Sequence, residues 1–430
     1  MDYILARALA FVQSLVTLAQ RSDLAWRVCP CCHSTHVHRH GSYTRWPWTL
    51  EGRREVVVPR YRCQSCRATY SREHPEYPYK AWYARSVRRY AIDQWCFLGS
   101  SLRRVTEWVR STINQDERWQ IWHPLSRPDP QAPQCKLHHS TLERWMDQAG
   151  RRAERGVAGL YAGLVSTTLA AADGLWARLR GGATRVLLML RDSITGLLWP
   201  PVVVAGEEAR AAWAKLFARA QGAGLALEEL RAVVSDGAQG LASYLRQDLP
   251  DVYQQRCVFH TWRNLGPELS RQAARAAEGL EGEEAHEARA RVRGELSGLV
   301  HGVLDAPTSA EAEEALAQLR AHPQGKGLWK VLNERFIHLL THTMAGHEGL
   351  GRVTSEHMWR DFRLRLSRGR NHGTEERLER AGLVFTIFRN FTPAQKRQER
   401  SRHYRHPGQC ALEVAGLDLE GCSYLDALEV

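Results

Sequence analysis

No run of about 18 apolar residues occurs in this chain, so a helical membrane span and a membrane partner are not expected. A secretion signal is missing too. The first twenty residues are apolar on one helical face, but they carry Asp2 and Arg7 and lack a basic start and a small-residue cleavage site. Nor do the ten cysteines form a disulfide framework, since the chain is 430 residues long and four of them make two C-x-x-C pairs. These absences point to a cytoplasmic protein. Lysine is scarce, so nearly all the positive charge is guanidinium. The 59 Lys+Arg outweigh the 47 Asp+Glu for a formal net charge of +12, which points to a polyanionic partner, most simply double-stranded DNA. Guanidinium forks suit phosphate and guanine, although a GC-rich genome produces the same bias. The length allows two or three domains.

Seven segments differ in character. Residues 1–25 read as an amphipathic N-terminal helix built on Leu5, Leu9, Val12 and Leu15. Residues 26–80 read as a zinc ribbon, with Cys29/Cys32 and Cys63/Cys66 each beside a β-like run. Four thiolates around one Zn²⁺ would hold together a segment too small to fold on its own core. Cys31 competes with its neighbours as a ligand, whereas His33, His36, His38 and His40 read as facing solvent or phosphate. Arg45, Arg60 and Arg62 lie among Tyr43, Trp46, Trp48, Tyr61 and Tyr70, a mixture suited to DNA backbone binding.

Residues 81–150 read as helices over Ala84–Trp95, Ser100–Val109 and His139–Met146. A helix, a Gly-Ser turn and a Ser-capped helix resemble a helix-turn-helix that would set Arg103, Arg104 and Arg144 against DNA. The Pro- and Trp-rich stretch Ser111–Leu137 reads as an inserted loop.

Residues 165–265 alternate strand and helix patterns. Strands are expected over Thr167–Gly174, Thr184–Leu190 and Leu197–Ala205, then a helix over Glu207–Ala220. Pro200-Pro201 should place the third strand at an edge or interrupt it. Ala232-Val233-Val234 reads as a buried strand that stops at Ser235-Asp236-Gly237. A helix with Leu241 and Leu245 follows, then a strand over Val252–Val258 and the pair Cys257-x-x-His260. Three linked strands, a helix and a further strand make the order of an α/β RNase H-like core. Residues 266–350 are rich in Ala, Glu, Leu and Arg and read as an α-helical insertion. Residues 351–392 return to the core with two helical patterns, and 393–430 form a tail.

Asp173 and Asp236 close two strand patterns, and Glu356 stands near the start of a late helix. Acids converging from separate elements could hold two Mg²⁺ or Mn²⁺ ions. As a plain helix cap, Asp236 would need no metal at all.

Four groups of residues resemble the DDE transposases of the Mutator-like superfamily and related bacterial insertion sequences. They are Asp173-Gly174; Val234-Ser235-Asp236-Gly237-Ala238-x-Gly240-Leu241; Gln255-Arg256-Cys257-x-x-His260 with Arg263-Asn264-Leu265; and Thr354-Ser355-Glu356 leading into an Arg-rich helix that includes Arg360 and Arg363. The resemblance covers roughly residues 165–390. It implies a prokaryotic, nucleoid-associated enzyme that cleaves DNA at terminal inverted repeats and joins 3′ ends to target DNA. It implies Asp173, Asp236 and Glu356 as ligands of two Mg²⁺ or Mn²⁺ ions, and Cys257 and His260 as an accessory pair beside the second acid. A homodimer or higher oligomer is implied, because two element ends must be brought together. Relatives usually carry Asn at the positions of Ser355 and Trp359, which leaves Asp361 and Glu348 as alternatives to Glu356. A domesticated, inactive DNA-binding protein and an RNase H-like nuclease without strand transfer are the competing readings.

Overall fold

The computed structural model describes residues 28–71, 74–114, 133–164, 168–347, 350, 352, 362–363, 372–393 and 408–429. The expected helix over 1–25 lies outside them, as do Glu348, Glu356, Arg360 and Asp361.

The cysteine-bearing segment forms β1 (Val37–Arg45), β2 (Trp48–Thr49), β3 (Gly52–Arg53), β4 (Val56–Cys63) and β5 (Thr69–Ser71). β1, β4 and β5 make a three-stranded antiparallel sheet. Its buried apolar residues are few: Pro47 and Val58 join Cys29 and Cys63 among residues 28–71.

Three helices follow: α1 (Arg85–Leu98), α2 (Leu102–Asn114) and α3 (His139–Tyr161). Gly99 ends α1 in the left-handed region at φ 59°, a conformation glycine adopts without Cβ strain. The chain then turns at once into α2, whose Arg104 N–H is capped by Ser101 Oγ at 3.4 Å. Helix α3 runs well past the expected end near Met146. Gly150 is where the helix meets Arg380: a Cβ there would stand 2.4 Å from that side chain's Cβ.

The central sheet comprises β6 (Leu169–Arg178), β7 (Thr184–Asp192), β8 (Val202–Val204), β9 (Ala232–Ser235) and β10 (Tyr253–Arg256), in the order β10-β9-β6-β7-β8. β6, β9 and β10 are parallel, while β7 runs antiparallel to β6 and β8. The two prolines have both expected effects: β8 is shortened to the residues after them, and it lies at the sheet edge. Asp173 is not at a strand end, because β6 continues through Gly174 to Arg178 against β7.

Helices α4 (Arg210–Gly222) and α5 (Gln239–Asp248) connect β8 to β9 and β9 to β10. Then α6 (Val258–Arg275), α7 (Gly282–Leu304), α8 (Ser309–Ala321), α9 (Lys326–Asn333) and α10 (Phe336–Leu339) bury a core of their own around Leu265, Leu296, Val300 and Leu332. Helix α11 (Glu375–Asn390) returns to the sheet, and its Gly382 lets Leu187 approach to about a methyl's distance. Its apolar residues join those of α1–α5 and of one sheet face in a continuous core.

A buried polar knot ties α11 to that core. Asn390 Oδ1 accepts from the Leu198 N–H at 2.8 Å, and its Nδ2 donates to the Leu198 carbonyl and the Tyr161 hydroxyl. Tyr161 in turn donates to the Leu198 carbonyl. Asn390→Ala leaves these groups buried without partners and should cost roughly 3 kcal/mol, read as a shift in the urea midpoint. A loss under about 1 kcal/mol would mean that the knot does not hold α11 in place.

Candidate active site and metal centre

Parallel pairing sets the level of the two described acids. β6 and β9 pair from Leu169–Ala232 to Ala171–Val234. Two residues further, the same register brings Asp173 opposite Asp236. β10 pairs with β9 up to Arg256–Ser235, so the next step brings Cys257 beside Asp236. A bond from the Cys257 N–H to the Ser235 carbonyl at 2.7 Å extends that ladder to its edge. Alternation along a strand puts Asp173 on the face of Leu169 and Ala171. These pack with Ala232, Val234, Cys257 and Leu350 in a small cluster, on the face opposite the main core.

Backbone N–H groups orient both carboxylates. Asp173 is buried, and its Oδ1 accepts from the Gly174 N–H at 2.9 Å. Asp236 is half-buried, and its Oδ1 accepts from the Ala238 N–H at 3.0 Å, which turns the chain sharply off β9. Helix α6 begins directly after Cys257, so Cys257 and His260 are three residues apart at a helix start and share one side, both buried. The Val258 N–H donates to the Arg352 carbonyl at 2.8 Å, which anchors the chain shortly before Glu356 to the same end of the sheet.

Two residues that the sequence reading assigned no role lie at this end. Glu207, half-buried, accepts a bond from Trp176 Nε1 at 3.1 Å. Burial pushes its carboxyl above the usual range, and the charge of Asp236 adds to the effect. Both motif glycines make room for it: a Cβ on Gly174 would stand 2.3 Å from Glu207 Oε2, and one on Gly240 would stand 2.4 Å from the Glu207 carbonyl. The glycines after the first acid and within the second motif therefore admit one loop. Arg256 is the second such residue. Burial pushes its guanidinium below the usual value and Arg335 adds to this, while Asp236 and Cys257 oppose it. Neither residue has a spacing that would have flagged it, although Arg256 sits inside the motif that carries the resemblance.

The four expected thiols do converge. Cys29, Cys32, Cys63 and Cys66 place their sulfurs within 4.8 Å of one another. The Cys29–Cys66 and Cys32–Cys63 separations are 3.5 and 3.6 Å, near the ~3.8 Å that a tetrahedron with 2.3 Å zinc–sulfur bonds requires. The two knuckles share one geometry. The residue after each pair, His33 or Arg67, is left-handed at φ 57° or 64°. In each, a backbone N–H reaches back to the first sulfur, Cys31 to Cys29 and Cys66 to Cys63. That Cys66 bond, helped by bonds from Cys32 and Ser65, holds the Cys63 thiol down to about 6, suited to a metal-binding thiolate. Cys31 is exposed and outside the cluster.

The expected DNA-contacting arginines divide. Arg60, Arg103, Arg104, Arg144 and Arg363 are exposed, and Arg62 is half-buried. Arg45 spends its guanidinium on the carbonyls of Pro78 and Ala81 and so braces that loop. Among the described residues, no helix is long and apolar enough to cross a membrane.

None of the curated proteins compared matches the chain. Residues 201–280 match the family model described as "Transposase, Mutator family", a span that contains Glu207, Asp236, Arg256, Cys257 and His260. Over that segment the chain is similar to the Mutator-family transposases.

Proposed function

We propose that the chain is a DDE-type enzyme that binds terminal inverted repeats, cuts DNA there and joins the 3′ ends to target DNA. The observation that carries this reading is the parallel pairing of β6 with β9, whose register, carried on two residues, brings Asp173 level with Asp236 just past the end of β9. The strand order, with β7 antiparallel between β6 and β8, supports an RNase H-like core interrupted by the helices after β10. Glu356 is proposed as the third acid. It lies four positions past Arg352, a tether of at most about 14 Å.

These carboxylates offer the hard oxygen donors that Mg²⁺ or Mn²⁺ takes. When bound, a pair of such ions activates the attacking water or 3′-hydroxyl and stabilises the leaving oxygen. The chain's own part is to hold the carboxylates still through the Gly174 and Ala238 N–H groups. Cys257 and His260 form the wall beside Asp236. The cysteine cluster is proposed to bind one structural Zn²⁺. Arg60, Arg62, Arg103, Arg104, Arg144, Arg360 and Arg363 are proposed to meet DNA phosphates. A homodimer or larger assembly would bring two ends together.

The test is a supercoiled plasmid carrying the element's two ends. Mg²⁺- or Mn²⁺-dependent cuts at the repeat boundaries and joined products are expected. Binding of the ends should weaken roughly a thousandfold between about 50 and 200 mM salt if phosphates lead recognition. Cuts scattered without regard to the repeats would leave only a nuclease, and salt-independent binding would remove the arginine contacts.

A further inference from the structure

Arg256 ends β10, pairs with Ser235 and sends its side chain across the end of β9. A Cβ on Gly237 would stand 0.7 Å from its Nη1 and 1.8 Å from its Cζ, so the guanidinium occupies the space a side chain would fill. Gly237 is left-handed at φ 94°, so two independent features require glycine there. Among the described residues, Arg256 makes no ion pair and its guanidinium donates no hydrogen bond. Arg335, the residue before α10, is close enough for its charge to repel it. A half-buried guanidinium with its donors unspent, repelled by a second guanidinium's charge, is costly until an anion joins it. Asp236 attracts it but is the neighbouring acid of the site and makes no bond to it.

We propose that Arg256, seated on Gly237 and flanked by Arg335, binds a backbone phosphate of the DNA strand held at Asp173 and Asp236. The fork of donors matches phosphate oxygens bidentately, a geometry that lysine does not reproduce. The phosphate gripped is a neighbour of the one attacked, so Arg256 sets where along the strand the carboxylates act. This rests on the reading of those two acids as the cutting site.

The test uses the full chain and duplexes of its inverted-repeat end, each with one phosphate near the boundary replaced by a neutral methylphosphonate. Equilibrium binding is measured without divalent metal. The wild type is expected to lose roughly 10- to 100-fold in affinity at one position, the scale of a hydrogen-bonded charge. Arg256→Gln should lose as much on the unmodified duplex and no more when that position is neutral. Arg256→Lys should recover part of the affinity, and Arg335→Gln, on a separate element, should weaken the same position. If Arg256→Gln does not fold, Arg335→Gln carries the test. A full methylphosphonate penalty persisting in both glutamine variants, or no sensitive position in the wild type, overturns the proposal. Tight binding of inorganic phosphate without a sensitive DNA position overturns it as well, by making this a free-anion site. Because binding is read, absence of cleavage in the wild type would count against the two acids while leaving Arg256 judged on its own result.

Discussion

Asp236→Asn should leave binding of the repeat ends intact and lower Mg²⁺- or Mn²⁺-dependent cleavage by roughly a thousandfold or more, the scale seen when one preorganised charge-stabilising group is lost. The substitution keeps the shape of the side chain and a carbonyl oxygen for the Ala238 N–H, so the turn off β9 survives. What goes is the negative charge a metal ion needs. Asp173→Asn should be as inactive, but it is the less clean variant. Asp173 is 5% exposed against a half-buried Asp236, and a buried amide needs partners for its hydrogens. Losing Asp236 also relieves Glu207, whose carboxyl is pushed up first by burial and then by this charge. Single-turnover cleavage of a labelled repeat duplex, beside a binding titration, separates the two effects. Cleavage by Asp236→Asn at the wild-type rate would remove both acids from the mechanism.

The legibility of this site in the sequence follows from what local pattern can carry. Asp236 was readable because a β-branched run stops at a turn signal, and β9 ends at Ser235. The thiol cluster was readable because metal chemistry fixes the spacing within each pair. Asp173 was expected at a strand end, but β6 runs on past it, for a physical reason. Gly174 looks like a turn glycine, yet its missing Cβ serves the approach of Glu207 while the strand runs on. The helix expected over His139–Met146 runs on through Gly150, whose missing Cβ admits Arg380. Glu207 belonged to no motif, and Arg256, though inside one, had no spacing that assigned it a role. Their places depend on strands pairing across dozens of residues, so only the register reveals that they share an end of the sheet with Asp236. Glu356 lies outside the described residues, and its part rests on the anchor at Arg352.

Metal removal should have the largest structural effect, and it should be local. Cys63→Ser is expected to lose the one zinc per chain and to open residues 28–71 to protease while the central sheet stays protected. The contrast follows from burial. In that segment Pro47 and Val58 join two of the cysteines as buried apolar residues, far too little to offset the entropy of ordering it. A structural zinc supplies about 10 to 16 kcal/mol in small peptides, enough to make folding of such a segment depend on it. The sheet has an independent source of stability, a continuous core running from Ala84 to Leu428. Trp48 and Leu50 pack against that core, so the opened segment remains tethered at one edge. Cys63 is the sharpest choice, because it is fully buried and its thiol is held down to about 6. Cys31→Ser is the matched control and should keep both zinc and protection, since Cys31 lies outside the cluster. Elemental analysis and limited proteolysis read both effects. A zinc-free wild type whose segment is already protected would mean that the four thiols order it without a metal.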